Sequence, residues 1–238
     1  MKMYATSPLK KEKACAPVTV GSEEGLSTLV TNIKRQAAGM LAGHSRSHDW
    51  EHTQRVFRLC RHIGSVEGVD MEVVLAAACL HDIGRRYQDR SGGKVCHALK
   101  GMELARPIVE PLPISEDRRA NILHCIAAHR FRKPPAPATP EARVLFDADK
   151  LDAIGAVGVA RAYLFAGEVG ARLHNSDANV AETSAYSSED TGFREFTVKL
   201  SKIRDRMLTG EGMRIAAGRH AFMAAFFERL EAEHRGDL

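Results

Sequence analysis

The chain has 238 residues, 44% hydrophobic and 27% charged, a globular composition that excludes disordered, collagenous and disulfide-scaffold proteins. Its 34 basic and 30 acidic residues give a net charge of +4, too mild for a binder of nucleic acid polymers. No run of about 18 apolar residues is available to span a membrane, and no apolar h-region follows the first basic residues, so no secretory leader is expected. The five cysteines are scattered without C-x2-C spacing, which points to a reducing, cytoplasmic setting.

Residues 1–21 mix Lys, Pro, Ala and Gly without a period and are expected to form a flexible tail. Ser22, followed by two acids, predicts a helix start, and Leu26, Leu29, Val30 and Ile33 carry that helix to about residue 41. A second helix is predicted over 48–66, with Val56, Leu59, Cys60 and Ile63 as its apolar stripe and Gly68 beyond its end. The third, over 71–82, is apolar nearly all round and belongs in the centre of the domain. Gly84 ends it, and 85–96 read as a basic loop. Helices are predicted over 97–109 and from a Ser115 cap to 129, with Pro111 and Pro113 between them. After a stiff connector over 133–140, helical pattern runs over 141–166, followed by a long polar loop over 167–189. Two helices, 190–208 and 211–235, close the chain. Neither a strand period nor a repeat appears, so the predicted fold is a single all-α domain.

His81-Asp82 emerges from the apolar third helix. A buried imidazole and carboxylate need satisfaction, either from each other or from a divalent metal, for which both are good ligands. His52 shares a face with Val56, Leu59 and Ile63, and His97 with Gly101, Leu104 and Ile108. His129 follows Ile122 and Ile126 on one face. Three histidines on apolar faces of separate helices, beside a His-Asp pair, point to a metal centre. His124 rivals His129 but lies off that face, and His48 stands one turn before His52. His44, His62, His174, His220 and His234 are expected to be structural or exposed. Asp147, Asp149 and Asp152 fall in a largely apolar segment, where buried carboxylates need cationic partners.

The order His52, His81-Asp82, Asp149 resembles the H…HD…D signature of HD-domain metal-dependent phosphohydrolases. The local wording agrees: His52-Thr-Gln-Arg-Val56, Leu80-His-Asp-Ile-Gly-Arg85 and Ala148-Asp-Lys-Leu151. The longer stretches His48-Asp-Trp-Glu-His52 and His129-Arg-Phe-Arg132 are similar to a branch of small stand-alone HD phosphohydrolases. So are Arg194-Glu-Phe-Thr-Val-Lys-Leu200 and Arg219-His-Ala-Phe-Met223. The resemblance implies an HD-domain helical bundle over 22–238, with a central buried helix carrying His-Asp and a C-terminal helical extension.

By motif position, the resemblance implies that His52, His81, Asp82 and Asp149 hold one divalent metal, which could be Mn, Mg, Fe, Ni, Co or Zn. Asp149 is preferred to Asp147 because only it sits in the Ala-Asp-x-Leu frame. Some HD enzymes hold a second ion through further histidines, with the HD aspartate bridging. His97 and His129 occupy comparable places, and His124 and His48 are further candidates for a second metal or for phosphate. The implied chemistry is hydrolysis of a phosphoester or pyrophosphate bond, in a nucleotide or related small phosphate, by a metal-activated water that Asp82 orients. Arg85 and Lys150, beside proposed ligands, are expected to act in catalysis, and Arg55 and Arg130 to bind substrate. Arg86 and Arg132 read as surface charges, and Trp50 as a lid or a stacking face. Two other readings are a di-iron oxygenase, which the same superfamily hosts when six or more ligands assemble, and a non-catalytic nucleotide-binding regulator.

Overall fold

The computed structural model describes residues 27–42, 50–130, 134–175 and 179–238, and among these are ten α-helices and no strand. Ser27 accepts the backbone N–H of Val30 and starts α1 (Thr28–Leu41). The expected tail and the Ser22 cap lie outside the described residues. Next, α2 (Trp50–Glu67) ends at Gly68, whose φ of 68° suits glycine. Asp70 then accepts the N–H groups of Glu72 and Val73 and starts α3 (Met71–Leu80).

Residues 85–96 are not all loop. Arg85–Arg90 forms a short helix, α4, which Gly92 and Gly93 end at positive φ. Then come α5 (His97–Val109) and, from its Ser115 cap, α6 (Glu116–Ala128). The predicted helix over 141–166 is two, α7 (Pro140–Leu151) and α8 (Gly155–Glu168). Asp152 turns the chain towards α2, Ile154 is extended, and Gly155 takes a φ of 80° that a side chain would resist. The segment 190–208 is also broken, into α9 (Gly192–Val198) and two 3-10 turns, because Lys199 leaves helical geometry. The last helix, α10 (Gly210–Arg235), matches its predicted span closely.

Packing follows from the distribution of apolar faces. Val73 to Leu80 are all buried, and α3 is enclosed by α1, α2, α6 and α7. Burying each Val or Leu of this helix stabilises the fold by about 1.5–3 kcal/mol. α5 pairs with α6, while α10 lies across α8, α7 and α2. No described helix is long and apolar enough to cross a membrane.

Two contacts fix where the ends of these helices lie. Gly84 sits so near α5 that a β-carbon there would collide with the His97 carbonyl and lie 2.5 Å from the Gly101 nitrogen. Asp147, expected to need a cation, instead accepts the N–H of Leu208 (2.9 Å) and of Thr209 (2.8 Å) and the Thr209 hydroxyl (2.7 Å), just ahead of α10. In the first turn of α10, Glu211 pairs with Arg214 and His62, and its own N–H donates to Glu67 on α2.

Gly84→Ala is expected to destabilise the protein by about 1–3 kcal/mol, since the obstructing atoms are backbone, as read from the urea midpoint. Hydrogen bonds from Arg214 lead in pulling the Glu211 pKa down from 4.5 to about 2, with His62 adding to them against a desolvation cost. A depressed carboxylate pKa contributes stability above the unfolded value that is lost as pH falls through the folded one. The melting-temperature gap between wild type and Glu211→Gln should therefore be full near neutrality and close between about pH 4.5 and pH 2; a gap constant with pH would show that this ion pair contributes nothing.

Candidate metal centre

The α3 helix ends at Leu80, and the turn His81–Gly84 carries the His-Asp pair out of the apolar core while leaving both side chains buried. From α2 comes His52, from the first residue of α5 comes His97, from the end of α6 comes His129, and from α7 comes Asp149. These side chains meet around Asp82. His52 Nε2 lies 3.3 Å from His81 Nε2, 3.4 Å from Asp149 Oδ1 and 3.7 Å from Asp82 Oδ2. On the other side, His97 Nε2 and His129 Nε2 are 3.0 Å apart, and lie 3.5 Å and 3.8 Å from Asp82 Oδ1. The six residues thus form two groups that could each hold a metal ion, His52–His81–Asp149 and Asp82–His97–His129. The Asp82 carboxylate stands between them, one oxygen towards each.

The ring tautomers test whether a cation fits. Each Nδ1 faces an oxygen: His52 meets Asp152 at 2.7 Å, His81 the Ala78 carbonyl at 2.8 Å, His97 the Gln88 side-chain oxygen at 2.8 Å, and His129 the Ile126 carbonyl at 2.6 Å. Nδ1 therefore carries a proton in all four, and the ring edge left to act as a ligand is Nε2, turned inward in each. Between the neutral rings of His97 and His129, lone pairs facing each other at 3.0 Å repel unless a cation lies between them or one ring moves its proton. Imidazole nitrogen with carboxylate oxygen suits several first-row divalent ions, so the donor set fits the metal that the motif implies.

The electrostatics differ between the two groups. Burial opposes charge on His52, but Asp149 and Asp152, with Asp82 behind them, outweigh it and push the pKa up to about 9. Burial also opposes charge on Asp149, yet Lys150 and the His52 ring hold it well below the usual carboxylate range. Burial dominates in the second group. It holds His97 at about 4, with Asp82 opposing and Arg85 assisting, and His129 at about 3, with His81 and His97 assisting. Both rings are neutral at pH 7 and available as ligands.

The remaining residues singled out from the sequence are dispersed. Arg85 has a buried Nε without a hydrogen-bond partner among the described residues, 3.5 Å from Asp89. Lys150 donates to Asp149 (2.5 Å) and to the His129 carbonyl (3.0 Å). Arg130 lies against Cys96, one residue before His97. Arg55 places Nε and one terminal nitrogen on Asp152, the residue that braces His52, at 2.7 and 3.2 Å. His124 is not part of the cluster and accepts the Ala138 N–H at 3.0 Å. Trp50 is partly buried and packs on the core. His48 and Arg132 lie outside the described residues. Sequence reasoning passed over Asp152 and Gln88 as braces. Asp152 was at least visible as a third buried acid, whereas Gln88 carried no signal in a segment read as loop.

Asp152 takes the His52 ring proton while Arg55 and Arg161 neutralise it, the support that commonly sets ligand basicity. Asp152→Asn is expected to weaken Mn²⁺ binding by about 10-fold or more in a calorimetric titration. Unchanged affinity would mean that this carboxylate serves packing alone.

A family-level profile described as HD domain matches residues 49–154. Over 209 residues, covering 86% of this chain and 93% of the relative, the sequence is 31% identical to the uncharacterized protein YpgQ of Bacillus subtilis. The structure of YpgQ in complex with ADP superposes with a TM-score of 0.65 at 29% identity, covering 86% of this chain and 97% of that one. An HD-superfamily hydrolase from Bacillus thuringiensis superposes with a TM-score of 0.69 at 26% identity, covering 87% and 96%. The profile, the near full-length relative and the shared fold together establish that the chain belongs to the HD-domain family.

Proposed function

We propose that the protein is a metal-dependent phosphohydrolase acting on a nucleotide or a related small phosphate. The observation that carries this reading is the shared Asp82 carboxylate, with one oxygen towards each of two inward-facing imidazole groups. His52, His81, Asp82 and Asp149 would hold one divalent ion, and His97 and His129, with Asp82 shared, a second. A bound divalent ion supplies Lewis acidity to a phosphoryl oxygen and lowers the pKa of water from about 15.7 to about 7. Asp82, reaching both groups, orients the attacking water by accepting its hydrogen bond. Arg85 and Arg130 flank His97 and offer positive charge to the phosphate as its negative charge builds. Lys150 keeps Asp149 ionised and aimed at His52. The ADP complex of YpgQ supports nucleotides as the substrate class.

The six assembled donors also give the di-iron oxygenase reading a specific basis, and one experiment separates the two. Phosphate and pyrophosphate release is measured from a nucleotide panel with Mn²⁺, for wild type beside Asp82→Ala, with helicity checked by circular dichroism. Wild type should release one of the two products, and Asp82→Ala should be slower by more than about 100-fold. No release from any nucleotide by metal-loaded wild type would overturn the nucleotide reading, and an oxygen-dependent spectral change in the iron-loaded protein would then support the oxygenase.

A further inference from the structure

Among the four inward-facing histidines, one is braced differently. The acceptors for His81 and His129 are carbonyls of the chain itself, and the acceptor for His52 is a carboxylate held by two arginines. None of these can donate, so those three rings are fixed with the proton on Nδ1. His97 instead faces the side-chain carboxamide of Gln88, at 2.8 Å. A carboxamide carries an acceptor and a donor on one rotatable end. Among the described residues, the Gln88 amide nitrogen has no other recipient that would hold it in place. With the oxygen forward, His97 Nε2 offers a lone pair beside Asp82 and His129. With the nitrogen forward, His97 moves its proton to Nε2 and donates it to His129 Nε2, 3.0 Å away. The first arrangement suits a cation, and the second relieves the same lone-pair opposition without one.

Gln88 also lies on α4, a six-residue helix with no buried residue, whereas the other three braces belong to the buried core or to paired helix ends. Arg85, one turn away on α4, is among the cations that act on His97.

Resting on the two-ion reading above, we propose that Gln88 is a positioning residue that sets the tautomer of His97. Through it, the Asp82–His97–His129 position takes up and releases its ion, while the His52–His81–Asp149 position retains its own. Gln88→Leu removes both hydrogen-bonding options at similar size, and Gln88→Glu restores a permanent acceptor. Mn²⁺ titrations followed by electron paramagnetic resonance should find two equivalents in wild type. In Gln88→Leu the weaker site should lose about 10- to 100-fold in affinity with the tighter site unchanged, and Gln88→Glu should bring the weaker site back to wild-type affinity or above it. Nitrogen-15 spectra of the Zn²⁺-loaded and metal-free wild type should show the His97 proton on Nδ1 with metal and on Nε2 without it. Equal affinities at both sites in wild type and Gln88→Leu, or one His97 tautomer in both forms, would overturn the role of Gln88 while leaving the two-ion centre standing. A wild type that holds fewer than two equivalents would remove the two-ion reading, and this inference with it.

Discussion

Lone pairs that point at one another cannot be tolerated in a dry protein interior without positive charge between them, and that constraint organises this molecule. Four buried imidazoles turn their Nε2 atoms inward around a single carboxylate at the end of the most apolar helix. Water could satisfy such groups cheaply at a surface, but unpaired polar groups in the core cost several kcal/mol each. The other ring atoms are all committed to oxygen acceptors, so the rings cannot turn away. The helices around α3 therefore hold their donors in a geometry that a bound cation would favour.

Asp147 and Asp149 are two residues apart on α7 and point about 200° apart around the helix, which gives neighbouring carboxylates opposite tasks. Asp149 joins the donor cluster, while Asp147 is buried among N–H groups just ahead of α10, where desolvation raises its pKa despite those hydrogen bonds. The helix that presents a donor at the front is thus tied from behind by the C-terminal helix. A similar logic holds at Gly84, where the absence of a side chain lets the His-Asp turn press against the start of α5. His97 and Asp82 reach their spacing through that backbone contact and not through their own side chains.

Much of this was legible from residue order. The 3.6-residue period turned His52, His97 and His129 towards apolar faces, and each is buried. The Ser115 cap and the span of α5 were readable because a cap residue and a proline pair mark their limits. The period failed where a side chain pulled the backbone out of it. Between α7 and α8, Asp152 is drawn to His52 and Arg55 across about one hundred residues of sequence, and to Arg161 on the next helix, and the helix stops there. The α4 helix was missed because two glycines and four basic residues over 85–96 look like a loop, although its six residues propagate a helix well enough. Asp147 read as an acid in search of a cation because a sequence does not reveal that the backbone of Leu208 and Thr209 will be next to it.

The donors of the centre come from α2, the end of α3, α5, the end of α6 and α7, spread from His52 to Asp149. An unfolded chain cannot present them together, so any ion that they hold binds the native state almost exclusively. By mass action, free ion at 100 times its dissociation constant adds about 2.7 kcal/mol to the unfolding free energy. That is a large share of the roughly 5–15 kcal/mol on which a folded domain subsists. The abundance of the protein in a cell would then follow the supply of its metal, with starvation exposing the chain to proteolysis before any loss of chemistry became visible.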